Sequence, residues 1–166
     1  MATPLALASP APTDLLRQRQ AELDALFSLL APPSPAQAKG YWHGTLMAVH
    51  GLDWLPRALA GSLYRLLSTP LNPWRGKSFD STSGANRWLL VHGAAFGCFT
   101  MHTTNSPVDG QPVLLLDYNV AGNPGLLRNI RGEARQLGNG QLLARMNWQG
   151  SAGLQRVLYF TLTRVD

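Results

Sequence analysis

The segment Gly40-Tyr41-Trp42-His43-Gly44 constrains the fold of this chain most, because it places a tryptophan between two glycines at the start of a predicted strand. A helical segment precedes it, and Trp74-Arg75-Gly76-Lys77-Ser78-Phe79 follows about thirty residues later. More predicted strands follow this second segment. The arrangement indicates a barrel that is plugged at one end and whose interior can hold a small apolar ligand.

Seven short strands are predicted after residue 75, in addition to a first strand over residues 40–49. Glycine-rich turn signals such as Gly138-Asn139-Gly140 separate several of them. The segment 126–137 also suits a helix, but alternating charged and small residues favour a strand over its second half. The predicted strands are 76–80, 86–92, 95–103, 112–119, 128–137, 141–148 and 155–165. Seven to nine antiparallel strands of this kind predict a mainly β fold that closes into a barrel, since closure removes unpaired edges.

Two helices are predicted, one before the first strand and one between the early strands. Thr13 is a suitable N-cap for the first helix, whose apolar residues recur at helical spacing up to Leu30. Its one-sided apolar stripe needs a surface to pack on, and we expect it to cover a barrel end. The second helix is predicted from about Leu52 to Leu67.

The chain is expected to form one domain. Residues 1–12 are rich in alanine and proline and are expected to be a disordered tail, which leaves 13–166 as a single barrel domain. Hydrophobic residues make up 45% of the chain and charged residues 14%, as in a compact globular protein. Cys98 is the only cysteine, so an internal disulfide is excluded.

The charge pattern favours a small anionic partner. Net charge is +5, most positive charges are dispersed arginines, and the only lysines are Lys39 and Lys77. A nucleic-acid-binding protein more often carries a dense basic patch, so we expect no nucleic-acid partner. Arginines suit a carboxylate. No segment reaches the ~20 apolar residues of a membrane span and no signal-peptide pattern is present, so we expect a cytoplasmic location. The sequence leaves a homodimer open.

No sequence pattern indicates a cofactor. The four histidines lack the H-x-H and H-E-x-x-H spacings of metal sites. A G-x-S-x-G motif, a phosphate-binding glycine loop and a dinucleotide fingerprint are also missing. We therefore expect neither metal nor cofactor, with haem held by a single histidine inside the barrel as the alternative.

The two tryptophan motifs resemble those of the GXWXG-type proteins with a C-terminal domain of unknown function, in the lipocalin-like (calycin) superfamily. The resemblance covers most of residues 13–165. It implies a lipocalin-like barrel with a small-molecule site and no particular reaction. It also implies that Trp42 closes the narrow end beneath an arginine of a late strand. The matching residues are Gly40, Trp42 and Gly44 in the first motif, and Trp74, Gly76, Lys77 and Phe79 in the second. The candidate arginines are Arg145, Arg156 and Arg164.

Eight residues are predicted to contact the ligand. Lys77 could pair with a ligand anion or with Asp117, or it could hold its ammonium group in water. Arg131, Glu133 and Arg135 share one strand face, which would form an anion pocket if it points inward and solvated ion pairs if it points outward. The predicted ligand-binding residues are Trp42, His43, Trp74, Lys77, Trp88, Tyr118, Arg131 and Arg145.

Asp117 and His102 are the candidate catalytic residues if the protein is an enzyme. Asp117 interrupts an apolar strand, where a carboxylate is costly unless it is paired. An ion pair with an arginine is the alternative role. His102 could act as a general base, because the pKa of histidine lies near neutrality, or it could be an ordinary hydrogen-bonded side chain.

Three functions fit these expectations. The first is a carrier that binds a small hydrophobic molecule, with a carboxylate or hydroxyl, in the barrel. The second is an enzyme of isomerase, cyclase or dehydratase type that uses the same cavity and one acid–base pair. The third is a structural or partner-binding domain filled by its own side chains, and a barrel without an enclosed volume of ~300 Å³ would leave only this third function.

Overall fold

The fold is a closed barrel of eight antiparallel strands, in which each strand pairs with the next and the first pairs with the last. The computed structural model describes residues 15–16, 18–49, 74–88, 96–138 and 140–165. The strands are β1 (Gly40–Val49), β2 (Trp74–Phe79), β3 (Ser83–Trp88), β4 (Phe96–Asn105), β5 (Pro112–Asp117), β6 (Ile130–Gly138), β7 (Gln141–Gly150) and β8 (Gly153–Val165). The predicted mainly β fold and its closure are confirmed.

Most observed strands agree with the predicted ones within two residues at each end, but β3 begins at Ser83, three residues before the predicted strand 86–92, whose last four residues lie outside the described part of the chain. The ambiguous segment forms a 3-10 turn at Leu127–Asn129 and then enters β6 at Ile130, so its second half is a strand as expected. The predicted helix at 52–67, the expected tail and the N-cap at Thr13 lie outside the described residues.

Helices α1 (Gln20–Leu29) and α2 (Pro35–Ala38) precede β1. The prediction of one continuous helix up to Leu30 is wrong at its start, because Arg19 has extended backbone with φ −79° and ψ 162°. The carboxylate of Glu22 accepts a hydrogen bond of 2.6 Å from the Arg19 backbone N–H and caps the start of α1. No helix among the described residues has the length and apolarity that a bilayer crossing takes.

Helix α1 packs on the outer wall of the barrel, which corrects the expectation that it covers an end. Leu23 and Phe27, one helical turn apart, join a buried cluster with Leu143 of β7 and Tyr159 of β8. The rings of Phe27 and Tyr159 meet edge to face with their centroids 5.9 Å apart. The wall beneath α1 is therefore buried on both of its faces.

Trp42 and helix α2 close one end of the barrel. Trp42 is 3% exposed, and its Nε1 donates a hydrogen bond of 2.7 Å to the carbonyl of Ala38, the last residue of α2. Of the three candidate arginines, Arg164 of β8 lies over this tryptophan, with its guanidinium carbon 5.5 Å from the ring centroid. The closing tryptophan and its arginine thus have the arrangement that the motif predicts.

The interior is packed in the half next to Trp42 and hollow in the other half. Along β1 the inward positions run from Trp42 through Gly44 to Leu46, and Leu46 is the one that reaches the cavity. The packed half contains Phe79, Phe99, Met101, Leu114, Leu116, Leu142, Ala144 and Leu162. This division places the candidate site at the end of the barrel opposite Trp42.

Candidate functional site

A bulge in β2 brings Trp74 and Lys77 to the same face of the sheet. Regular alternation would point residues three apart to opposite faces. The pairing of β2 with β3 shifts by one residue between Trp74 and Gly76, so that Arg75 is the extra residue. Both side chains therefore reach the interior of the barrel.

The two tryptophan motifs meet at their glycines. Gly76 has φ +129°, and a Cβ atom there would lie 2.0 Å from the carbonyl oxygen of Trp42. The Trp74 ring lies on Gly44, where a Cβ atom would come within 2.2 Å of it. Both positions need glycine because the backbones and rings approach so closely. The bulge and the place of Trp74 thus depend on both motifs.

The cavity has a volume of about 260 Å³. This is slightly below the ~300 Å³ at which typical ligand pockets begin, so it suits a small molecule. Most of its wall is apolar, and the described residues that form it include no carboxylate. They are Leu46, Trp74, Lys77, Asn86, Tyr118, Leu127, Ile130, Gly132, Met146, Leu158 and Phe160.

Lys77 brings an amine into this apolar space. The residue is 4% exposed, and no salt bridge joins it to a carboxylate in the described part of the chain. Four aromatic rings surround Nζ, each at a distance that permits a cation–π contact. Their centroids lie 5.1 Å (Phe99), 5.1 Å (Tyr118), 5.4 Å (Phe160) and 5.8 Å (Trp74) from Nζ.

Lys77, Asn86 and Tyr118 form a polar triangle in the cavity wall. The lysine Nζ donates to Asn86 Oδ1 at 2.6 Å and to the Tyr118 hydroxyl, and that hydroxyl donates to Asn86 Oδ1 at 3.1 Å. These contacts use two of the three N–H donors of a protonated lysine. A bound molecule can accept the third.

Burial changes the proton affinity of both ionisable members of the triangle. It lowers the pKa of Lys77 from 10.5 to about 7, because the charged ammonium loses its hydration. It raises the pKa of Tyr118 above its usual value of 10, so this phenol keeps its proton at neutral pH. At pH 7 the cavity therefore holds an amine that is close to half protonated beside a neutral phenol.

Asn123 positions Tyr118. Its side-chain amide donates to the carbonyls of Tyr118 at 2.7 Å and Cys98 at 2.6 Å, and its Oδ1 accepts from the Cys98 N–H at 3.0 Å. The loop after β5 is thereby fastened to β4. The Tyr118 ring, which follows the last residue of β5, turns into the barrel toward Lys77.

Asp117 and His102, the candidate catalytic residues, lie on the outer face of the barrel. Asp117 forms a salt bridge of 3.1 Å with Arg131. An ion pair was the alternative role considered for Asp117 and also for Arg131. His102 is exposed one position away from the buried Met101. The acid–base pair considered from the sequence does not face the cavity.

Three of the eight predicted ligand-binding residues line the cavity, namely Trp74, Lys77 and Tyr118. Trp42 lies in the packed half and His43 is exposed on the outer face. The side chain of Trp88 lies outside the described residues. The structure therefore gathers the second motif and Tyr118, and separates them from the other predicted residues whose side chains it describes.

Arg145, also predicted to bind the ligand, lies under helix α1 on the outer face. Its Nε contacts Glu133 Oε2 at 2.5 Å and its Nη2 contacts Asp109 Oδ2 at 3.2 Å. The Arg135 guanidinium contacts the other oxygen of Asp109 at 2.9 Å. Burial alone would raise the pKa of Asp109, but the hydrogen bond from Arg135 and the charges of both arginines outweigh it and lower this pKa.

Glu133 and Arg135 of the predicted strip, and Arg145 beside them, point outward yet are buried, an outcome that neither sequence alternative described. All three side chains are at most 2% exposed. Both guanidinium carbons lie over the Phe27 ring of α1, at 4.4 Å and 4.3 Å from its centroid. These charges hold the helix on the wall and do not contribute to the cavity.

Sequence reasoning missed Asn86 and most of the apolar cavity wall. The hairpin between β2 and β3 pairs Lys77 with Asn86, so counting back from its turn would have placed the two side by side. Leu46, Met146, Leu158 and Phe160 carry only the alternation of a strand, which does not say which face is inside. In the described ranges, no cluster of three His, Cys, Asp or Glu residues could hold a metal ion.

Gly44→Ala is expected to displace the Trp74 ring. The new methyl group would overlap that ring, which must move toward the cavity, at a cost of about 1–3 kcal/mol in the free energy of unfolding. Chemical denaturation measures this cost. Gly122→Ala is the matched control, because a Cβ atom there meets nothing within 4 Å. An equal, small effect of both variants would contradict the described contact between Gly44 and Trp74.

Comparison with known proteins supports the fold. A protein from Thermomonospora curvata has a similar crystal structure, with a TM-score of 0.58, 19% sequence identity and coverage of 90% of this chain and 89% of that one. No protein-family model and no curated protein matches the chain. At this identity the similarity concerns the fold alone. The closed barrel is compatible with the lipocalin-like architecture that the sequence resembles.

Proposed function

We propose that this protein binds a small hydrophobic molecule in the barrel cavity and that a carboxylate of this molecule pairs with Lys77. One observation carries the proposal. An amine is buried in an apolar cavity, among four aromatic rings, with no carboxylate among the described residues of the cavity wall.

The cost of burying Lys77 favours a ligand-binding barrel over a structural domain whose interior is filled only by its own side chains. The cavity volume alone does not separate these functions, because about 260 Å³ is close to the limit between them. A barrel that needed only packing would be more stable with an apolar side chain at this position. A ligand carboxylate would supply the missing counter-charge, and the apolar wall would bind the rest of the molecule.

The contacts between the two tryptophan motifs support a place among the GXWXG-type, lipocalin-like proteins. Gly44 accommodates Trp74, and Gly76 accommodates the backbone of Trp42. Each motif glycine thus has a physical role at the site. This relationship is part of the proposal, as is the carrier function that the resemblance implies.

The enzyme alternative receives no support from Asp117 and His102, because both side chains lie outside the barrel. An isomerase, cyclase or dehydratase using this cavity would depend on Lys77 and Tyr118. The absence of a carboxylate from the described cavity wall favours binding of an anion over acid–base work by a carboxyl group.

Binding of naphthalene-2-carboxylate, compared with naphthalene-2-methanol, tests the proposal by isothermal titration calorimetry. Lys77→Met should weaken carboxylate binding at least tenfold and leave the alcohol unchanged, whereas Lys39→Met should change neither. Affinity for the carboxylate should also fall above pH 7, by up to about tenfold per pH unit, because binding then requires uptake of a proton by Lys77.

Two results would contradict the proposed function. In one, neither compound binds to the unmodified protein. In the other, Lys77→Met binds the carboxylate as tightly as the unmodified protein does at every pH.

A further inference from the structure

We infer that Lys77 also forms a reversible imine with small hydrophobic aldehydes that enter the cavity. The inference rests on the proposed function, since it requires that the cavity admits a small apolar molecule. It adds a second class of ligand, carbonyl compounds, and a covalent bond at a defined atom, Nζ.

The surroundings of Nζ favour this reaction over simple ion pairing with the protein. No carboxylate of the described cavity wall holds the amine in its charged form. The aromatic rings around it leave Lys77 only 4% exposed, which limits the access of the water that would hydrolyse the product. The apolar wall formed by Leu46, Met146 and Leu158 would hold the body of the aldehyde.

Imine formation needs an unprotonated amine. Because burial lowers the pKa of Lys77 to about 7, close to half of the molecules carry a neutral amine at pH 7. An exposed lysine with a pKa of ~10.4 is neutral in fewer than about one molecule in a thousand. Desolvation of a lysine in a hydrophobic pocket is a recognised way to activate it toward carbonyl groups.

The reaction balances without an added oxidant or reductant. The lone pair of Nζ attacks the carbonyl carbon, and a carbinolamine forms. The Tyr118 hydroxyl accepts a hydrogen bond from Nζ, and by turning its proton from Asn86 Oδ1 to the departing oxygen it can act as the acid and then regain a proton from the nitrogen. Water leaves, and the C=N bond of the imine remains.

The chain provides its own control, because it contains only two lysines, Lys39 and Lys77. Lys39 is exposed, whereas Lys77 is buried. The protein is incubated with naphthalene-2-carbaldehyde at pH 7 and reduced with cyanoborohydride, which converts an imine into a stable amine. Intact mass and peptide mapping then locate each adduct.

We expect the Lys77 adduct to exceed the Lys39 adduct at least tenfold, and peptide mapping counts any adduct on the α-amino group separately, because that group is also partly neutral at pH 7. Lys77→Met should lose the Lys77 adduct, and Lys39→Arg should retain it. Equal labelling of both lysines, or labelling of Lys39 alone, would overturn the inference. Binding of naphthalene-2-carboxylate without any aldehyde adduct would overturn the imine and leave the proposed function intact, whereas failure of both would contradict the two together.

Discussion

Replacing Lys77 with methionine is expected to stabilise the fold at pH 7, by up to about 4 kcal/mol in the free energy of unfolding. Each tenfold loss of proton affinity on folding corresponds to ~1.4 kcal/mol, and burial lowers the pKa of Lys77 from 10.5 to about 7. The aromatic rings around Nζ oppose part of this cost. Asn86 and Tyr118 remain hydrogen-bonded to each other in the variant, so no polar partner is orphaned.

The advantage of Lys77→Met should depend on pH in a defined direction. Between pH 7 and about 10 the unfolded chain holds a proton on Lys77 that the folded protein has released, so stability of the unmodified protein rises with pH. Urea denaturation at several pH values should therefore show the largest difference at or below pH 7. The difference should shrink by up to ~1.4 kcal/mol per pH unit above it.

A destabilised Lys77→Met variant at pH 7 would contradict the description of Lys77 as a buried cation without a counter-charge. So would a difference from the unmodified protein that stays constant between pH 6 and about pH 10. Lys39→Met is the matched control, and it should change stability by less than about 0.5 kcal/mol because Lys39 is exposed.

Arg145→Met is expected to destabilise the protein by about 3–5 kcal/mol, because it leaves the carboxylate of Glu133 buried without its partner. Glu133 is fully buried, and its Oε1 has no hydrogen-bond partner even with Arg145 present. The same substitution removes the contacts of Arg145 with Ser106 and Asp109, which join the turn after β4 to the wall. Thermal or chemical denaturation measures the loss.

The double variant Arg145→Met with Glu133→Leu should recover most of that loss, since two apolar side chains replace the ion pair together. Arg164→Met serves as the exposed control and should cost only about 1 kcal/mol. If the double variant is no more stable than the single one, the uncompensated charge of Glu133 is not the cause.

Much of the barrel could be predicted from the sequence because its signals are local. The glycine turns set the strand boundaries, and the ten residues of β1 coincide with the predicted strand. The position of α1 could not be predicted, because it depends on which strand face becomes the outside. Glu133 and Arg135 alternate like solvated residues, yet α1 covers them, and only tertiary contacts reveal this.

The site was predictable where a motif supplied the residues. Trp74 and Lys77 belong to the second motif, and both line the cavity. Their shared face could not be derived from periodicity, since a bulge reverses the alternation between them. For Asp117 the sequence left two roles open, a functional charge and an ion pair with an arginine, and only the tertiary structure selects the pair with Arg131 outside the barrel.

The extra residue in β2 has a consequence for how this segment tolerates changes in length. Deletion of Arg75 would leave Trp74 two residues before Lys77, so that regular alternation alone would keep the indole on the lumen side, with Lys77 still opposite Asn86. A shortening by a single codon would thus keep the aromatic rings around the amine, whereas a regular strand of unchanged length would point the indole outward and expose the amine on one side. The bulge in this short strand, as much as its composition, determines how far water reaches the lysine.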